Sequence, residues 1–110
     1  MTCIFCAIAA GDIPASLAYE SDDVVAFHDI EPKAPVHIVV IPRSHHANVA
    51  TLTQADAGLA ARVLEVASQL GAQHLGGFRI VMNTGPDGGQ TVEHMHAHVL
   101  AGRGFGWPPG

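Results

Sequence analysis

The stretch His94-Met95-His96-Ala97-His98 alternates imidazole with apolar side chain without a break. Successive side chains of a strand point to opposite faces, so residues two apart share one. Read this way, all three imidazoles line one side, with neighbours about 6–7 Å apart at the backbone. Met95, Ala97 and Val99 face the other way, where they can pack on a core. The row predicts a closing strand from about His94 to Leu100, apolar behind and ionisable in front.

The remaining elements follow from the same kind of pattern. Residues 3–10 are a short apolar run stopped by Gly11-Asp12-Ile13-Pro14, which reads as one or two helical turns and a loop. Leu17–Glu20 and Val24–Asp29 read as two strands joined across Ser21-Asp22-Asp23. Val36–Ile41, β-branched and bounded by prolines, reads as a buried strand. One long helix, Thr53–Gly76, is expected after the entry segment 52–56, with Thr53 as N-cap and Asp56 at its third position. Leu59, Val63, Val66, Ala67 and Leu70 recur at helical spacing, and the helix should stop near Gly76-Gly77. Phe78–Asn83 is a further strand, followed by the glycine-rich turn 85–89. Three successive strands with short links favour antiparallel pairing. The expectation is an α+β class with a five-stranded antiparallel sheet, one long helix and one short helix.

At 110 residues the chain fits one domain, residues 1–110, with one core. No apolar run approaches the roughly 20 residues that span a bilayer, and the first residues have no basic leader pattern. A cytoplasmic, non-membrane protein is the expectation. The net charge of −5, with five Lys and Arg, disfavours polymeric nucleic acid as a partner. A single phosphate ester remains compatible, because backbone N–H groups bind one without net positive charge.

Gly85-Pro86-Asp87-Gly88-Gly89-Gln90 directly precedes the imidazole row. Glycines let the backbone approach an anion and aim successive N–H groups at it. Histidine can act as a covalent nucleophile, so loop and row together suggest phosphoryl transfer. The row taken alone also allows a three-His metal site. Cys3-x-x-Cys6 is separately a half-site for zinc.

Gly89 to Leu100 resembles the His-x-His-x-His-x-x signature of the histidine-triad (HIT) family. Phe27-His28-Asp29-Ile30 and Ala34 to Pro42 are similar to that family's nucleoside pocket and central strand. Gly102-Arg103 and the terminal Trp107-Pro108-Pro109-Gly110 resemble its purine nucleoside phosphoramidase branch. The resemblance implies a HIT-like fold whose sheet extends across a homodimer. It implies hydrolysis of the P–N bond between a purine nucleotide, AMP or GMP, and an amine, with no cofactor for catalysis. His96 would be the nucleophile. His98 and Thr91 would touch phosphate oxygens, helped by backbone N–H groups near Gly89, Gln90 and Val92. Asn83 would also face the phosphate, and His37 would support the triad, of which His94 is the first member. Asp29 would accept from the ribose hydroxyls. Ile4, Phe5, Ile8, Phe27 and Ile30 would enclose the base, and Trp107 would reach the partner's leaving-group site.

The same resemblance completes a structural Cys₂His₂ zinc site with Cys3, Cys6, His45 and His94, His46 being the alternative to His45. Two positions depart from the phosphoramidase branch. Thr91 stands where serine is usual, and Glu93 stands where an aromatic or apolar residue is usual. Dinucleoside polyphosphate hydrolysis, nucleotidyl transfer and a non-catalytic nucleotide-binding module are the alternative functions.

Overall fold

Strand β3, Val36–Pro42, is the centre of a five-stranded antiparallel sheet in the computed structural model, which describes residues 3–110. The strands run β1 (Leu17–Glu20), β2 (Val24–His28), β3, β5 (Ala97–Ala101), β4 (Phe78–Val81) across the sheet. Helix α1 (Ile4–Ala10) precedes the sheet, and α2 (Val49–Ala55) and α3 (Ala57–Gly71) follow β3. The central position of β3 explains its composition. Ile38, Val39, Val40 and Ile41 are all buried because both of its faces are covered.

One face carries Val24, Ala26, Ile38, Val40, Ala97 and Val99 beneath α2 and α3, which contribute Leu52, Val63, Val66 and Ala67. The other face carries Val25, Phe27, Val39 and Ile41 beneath α1, with Ala9, Phe5 and Ile8 against them. Since α1 has only seven residues, it covers the β2–β3 side of this face. His37, His98 and Leu100 remain beside it as walls of a cavity. Arg43 fastens α1 to the sheet by donating to the carbonyls of Ala9 and Ser21.

The expected long helix is two helices. Asn48, not Thr53, starts the first of them: its side chain accepts from the N–H of Thr51, whose hydroxyl oxygen in turn accepts from the N–H of Asn48. Thr53 lies inside α2 and donates back to the Ala50 carbonyl. Asp56 breaks the run, with backbone angles outside the helical region, and caps α3 by accepting from Leu59 N–H. The helix stops at Gly71 rather than Gly76-Gly77, because the inward stripe ends with Leu70 and Leu75 is fully exposed.

The closing strand is also shorter than the alternation predicts. The pairing of Val40 with Ala97 places Pro42 opposite Met95, and a proline has no N–H to extend the ladder. Met95 N–H instead donates to the His46 carbonyl. His94 and His96 therefore stand just before β5, in irregular backbone, and His98 stands within it. Met95, Ala97 and Val99 are nonetheless buried, so the apolar half of the row packs as expected.

Candidate functional site

The three histidines of the row are each fixed by a different partner, and the partners determine where the protons sit. His96 Nδ1 lies 2.8 Å from the His94 carbonyl oxygen. A carbonyl only accepts, so Nδ1 carries the proton and Nε2 of the neutral ring keeps its lone pair. The same logic runs through His37. The N–H of Lys33 donates to His37 Nδ1 at 3.0 Å, which leaves the proton on His37 Nε2. That proton points at His98 Nδ1, 2.8 Å away. His98 consequently carries its own proton on Nε2. One strand-end segment thus offers a bare nitrogen at His96 and a donor at His98, with ring centroids 4.9 Å apart.

These rings open on a cavity of about 590 Å³, within the range of small-molecule sites. Asp29, Ile30, His37, Asn83, Gly89 and Thr91 line it together with His96 and His98. Asp29 directly follows β2 and accepts from Glu31 N–H at 2.8 Å, and its other oxygen sits 3.4 Å from His37 Nε2. The wall also takes Glu31, Lys33, Val81 and Leu100, which sequence reasoning missed. Leu100 was legible in principle, being two residues beyond His98 on the same strand face. Lys33 enters through a turn whose geometry no motif announces.

The glycine loop is shaped by close approach. A Cβ on Gly88 would lie 2.3 Å from the Thr84 carbonyl oxygen, and Gly89 has φ of +80°. Gln90 serves this loop from behind. Its N–H closes on Gly85 O, while its side chain accepts from Gly85 N–H and donates to the carbonyls of Ala47 and Val92. Phe5 packs its ring edge-on to His96, with centroids 5.1 Å apart. Phe27 and Ile8 lie in the apolar layer under α1. Ile4 is half exposed and Ile30 almost fully so. Trp107 projects from the surface, and Glu93 is exposed.

Burial depresses the basicity of His98 and His37. It lowers the affinity of His98 for a proton from 6.5 to about 4, aided by the adjacent rings of His96 and His37. Burial lowers His37 as well, against the opposing pull of Asp29. Between pH 6.5 and 4 the unfolded chain binds a proton at His98 that the folded chain refuses. Stability is therefore complete above about 6.5 and falls by about 3 kcal/mol as the pH drops to 4. Urea midpoints at pH 7 and pH 4.5 check this, and equal midpoints would contradict it.

His94 turns the other way. Its Nε2 donates to the Pro42 carbonyl at 2.8 Å, so Nδ1 presents a lone pair, 3.4 Å from Cys3 Sγ and 3.5 Å from Cys6 Sγ. His45 Nδ1 lies 3.4 Å from Cys6 Sγ. All four atoms fall within 4.8 Å of one another. A tetrahedron with Zn–S of about 2.3 Å and Zn–N of about 2.05 Å has N–S edges of about 3.5 Å, so the donor set fits zinc. His46 is directed at Ser44 Oγ instead, which selects His45 of the two neighbours. The three histidines of the row share no common point: His94 faces the thiols, His96 its own backbone and His98 His37. A three-His metal centre is therefore not formed among the described residues.

Residues 10–105 match the HIT domain family. The chain belongs to that family. An uncharacterized HIT-like protein of Synechococcus elongatus is 46% identical, over 97% of this chain and 96% of the relative. The crystal structure of a HIT family hydrolase from Legionella pneumophila superposes with a TM-score of 0.93 at 43% identity, covering 99% of this chain and all of that one. A histidine triad nucleotide-binding protein from Candida albicans superposes with a TM-score of 0.80 at 29% identity, over 97% and 83% of the two chains. In this HIT chain the expected five-stranded antiparallel sheet is present, with three helices rather than two. Among the described residues, no helix is long and apolar enough to cross a membrane.

Proposed function

We propose that this protein hydrolyses purine nucleoside phosphoramidates, cleaving the P–N bond between AMP or GMP and an amine. The observation that carries the reading is the pairing of His96 Nδ1–H with the His94 carbonyl, which bares Nε2 beside the glycine loop. Nε2 attacks the α-phosphorus, the N–P bond to His96 forms as the P–N bond to the amine breaks, and the amine leaves with a proton taken from solvent, which the water of the second step returns. Water then cleaves the nucleotidyl-histidine and regenerates His96. His98 Nε2–H, Thr91 and Asn83 face the phosphate, and negative charge developing there meets donors already in place. Asp29 accepts from the ribose hydroxyls. The base lies against Ile30; Ile4, Phe5, Ile8 and Phe27 do not line the cavity, and the last three pack in the apolar layer under α1.

Names among the similar structures, a HIT family hydrolase and a histidine triad nucleotide-binding protein, support a hydrolase acting on a nucleotide. The terminal Trp107-Pro108-Pro109-Gly110 favours the phosphoramidase branch over dinucleoside polyphosphate hydrolysis or nucleotidyl transfer. Turnover of an adenosine phosphoramidate, compared with a dinucleoside polyphosphate, tests the choice. Faster hydrolysis of the polyphosphate, or AMP binding without turnover of either, would reject it.

Zinc at Cys3, Cys6, His45 and His94 would act structurally in this reading. With four protein ligands such a centre has no open position for substrate.

The working unit in this reading is a symmetric homodimer. Strand β4 is an edge of the sheet, and Leu64, Leu75 and Phe78 are exposed apolar residues on α3, the following turn and β4. Pairing of two β4 edges would cover both. The tail is held to its own domain as far as Gly106. Arg79 donates to the Gly106 carbonyl, and the guanidiniums of Arg79 and Arg103 lie 5.3 and 4.3 Å from the Phe105 ring centre. Beyond that anchor Trp107 is 85% exposed, free to meet a partner's site. Truncation after Arg103 should change leaving-group selectivity several-fold more than AMP affinity. A fully active monomer in sedimentation at micromolar concentration would refute the dimer and this role of the tail.

A further inference from the structure

His94 has two functions in opposite directions. Its buried ring faces Cys3 and Cys6, while its backbone carbonyl holds the Nδ1–H of His96. The segment bearing both lies beyond the end of the β3–β5 ladder. Its position rests on a few anchors: the buried Met95 side chain, Met95 N–H on the His46 carbonyl, His94 Nε2–H on the Pro42 carbonyl, and the His94 ring against the thiols. The anchors come from two places, α1 with its N-cap and residues 42–46, and His45 bridges those places through Cys6. Phe5, between the two cysteines in sequence, packs edge-on to both His94 and His96, at 5.9 and 5.1 Å.

We propose that Cys3, Cys6 and His45 are positioning residues for catalysis: by fixing the His94 ring through a bound metal, they set the carbonyl that orients the His96 nucleophile. Turnover then follows occupancy of a centre that never touches substrate. The physical basis is leverage over a short path. From the His94 ring to the His96 ring runs one residue's backbone and one hydrogen bond, in a segment without ladder support. A metal bond fixes the ring more stiffly than S–H···N contacts of 3.4–3.5 Å. Displacement of an attacking group by about 1 Å can cost about 100-fold in rate. This inference rests on the proposed role of His96, and the test keeps the two apart.

His45→Ala removes the exposed ligand and leaves Cys3, Cys6 and His94, so that occupancy can be titrated. Zinc is added to the metal-stripped variant while bound metal, phosphoramidate kcat and KM, and the NMR resonance of the His96 Nδ1–H are followed. The expected result is a kcat rising about 100-fold in step with occupancy, a KM changing only a few-fold, and an Nδ1–H signal sharpening over the same range. A kcat independent of occupancy, or an Nδ1–H signal unchanged in the empty protein, would overturn the proposal. Circular dichroism of chelator-stripped native protein separates positioning from folding. Retained helix with loss of the Nδ1–H signal supports positioning, and loss of both in one unfolding transition overturns it. If the loaded native protein shows no turnover, the function reading fails, while the Nδ1–H signal still reports whether the metal centre controls His96.

Discussion

His96→Ala should lower phosphoramidate turnover by roughly 1,000-fold or more while leaving AMP binding within a few-fold of native. The two effects separate because the two tasks are separate. Proton placement at His96 depends on the His94 carbonyl, whereas Asp29 and Ile30 stand at another part of the cavity wall. The deleted ring is 5% exposed and supports Phe5, so some loss of stability accompanies the change. Titration calorimetry with AMP beside steady-state kinetics gives both numbers. Near-native turnover in the variant would remove His96 from the nucleophile's role.

Replacing Cys3 and Cys6 together by serine should abolish zinc binding and lower stability by about 3 kcal/mol or more, a fall in Tm of roughly 15 °C. The cause is thermodynamic linkage: an ion bound only by the folded chain contributes its binding free energy to folding. The local structure says where the loss falls. Cys3 also caps α1 by accepting from Cys6 N–H, and α1 covers the apolar layer around Phe27 and Ile41. Metal analysis and a melting curve of the zinc-loaded proteins measure the effect. One zinc per chain retained in the double variant would contradict the assignment.

Much of the molecule could be read from residue order, and the places where reading failed share a cause. Alternation at 94–99 was right about faces because packing of Met95, Ala97 and Val99 enforces it. It was wrong about the strand's start because hydrogen bonding depends on the neighbour, and the neighbour at that position is Pro42. The helix expected over 53–76 was right about the inward stripe of Val63, Val66 and Leu70. It missed the break because Asp56 can serve as an interior residue or as a cap, and only the turn of the chain decides between them. At the site, residue types pointed to a row of imidazoles, and the structure places His96 and His98 in one cavity wall. Which nitrogen carries which proton did not follow from residue type, because that is set by Lys33 N–H and the His94 carbonyl, backbone groups that no motif displays. Asn83 and Thr91 line the same cavity as His96 and His98, and Lys33 and Glu31 join them there unannounced by any motif.

The central claim is a covalent bond between His96 and a nucleotide, and direct capture of that bond tests it most closely. Native protein is mixed with an adenosine phosphoramidate, quenched in alkali within milliseconds to seconds, digested and examined by mass spectrometry. The account predicts an adenylyl group on the peptide containing His96, located on that residue by fragmentation, formed and consumed at rates that match turnover. An adenylyl group on His94 or His98, or full turnover with no labelled peptide at any time, would contradict it.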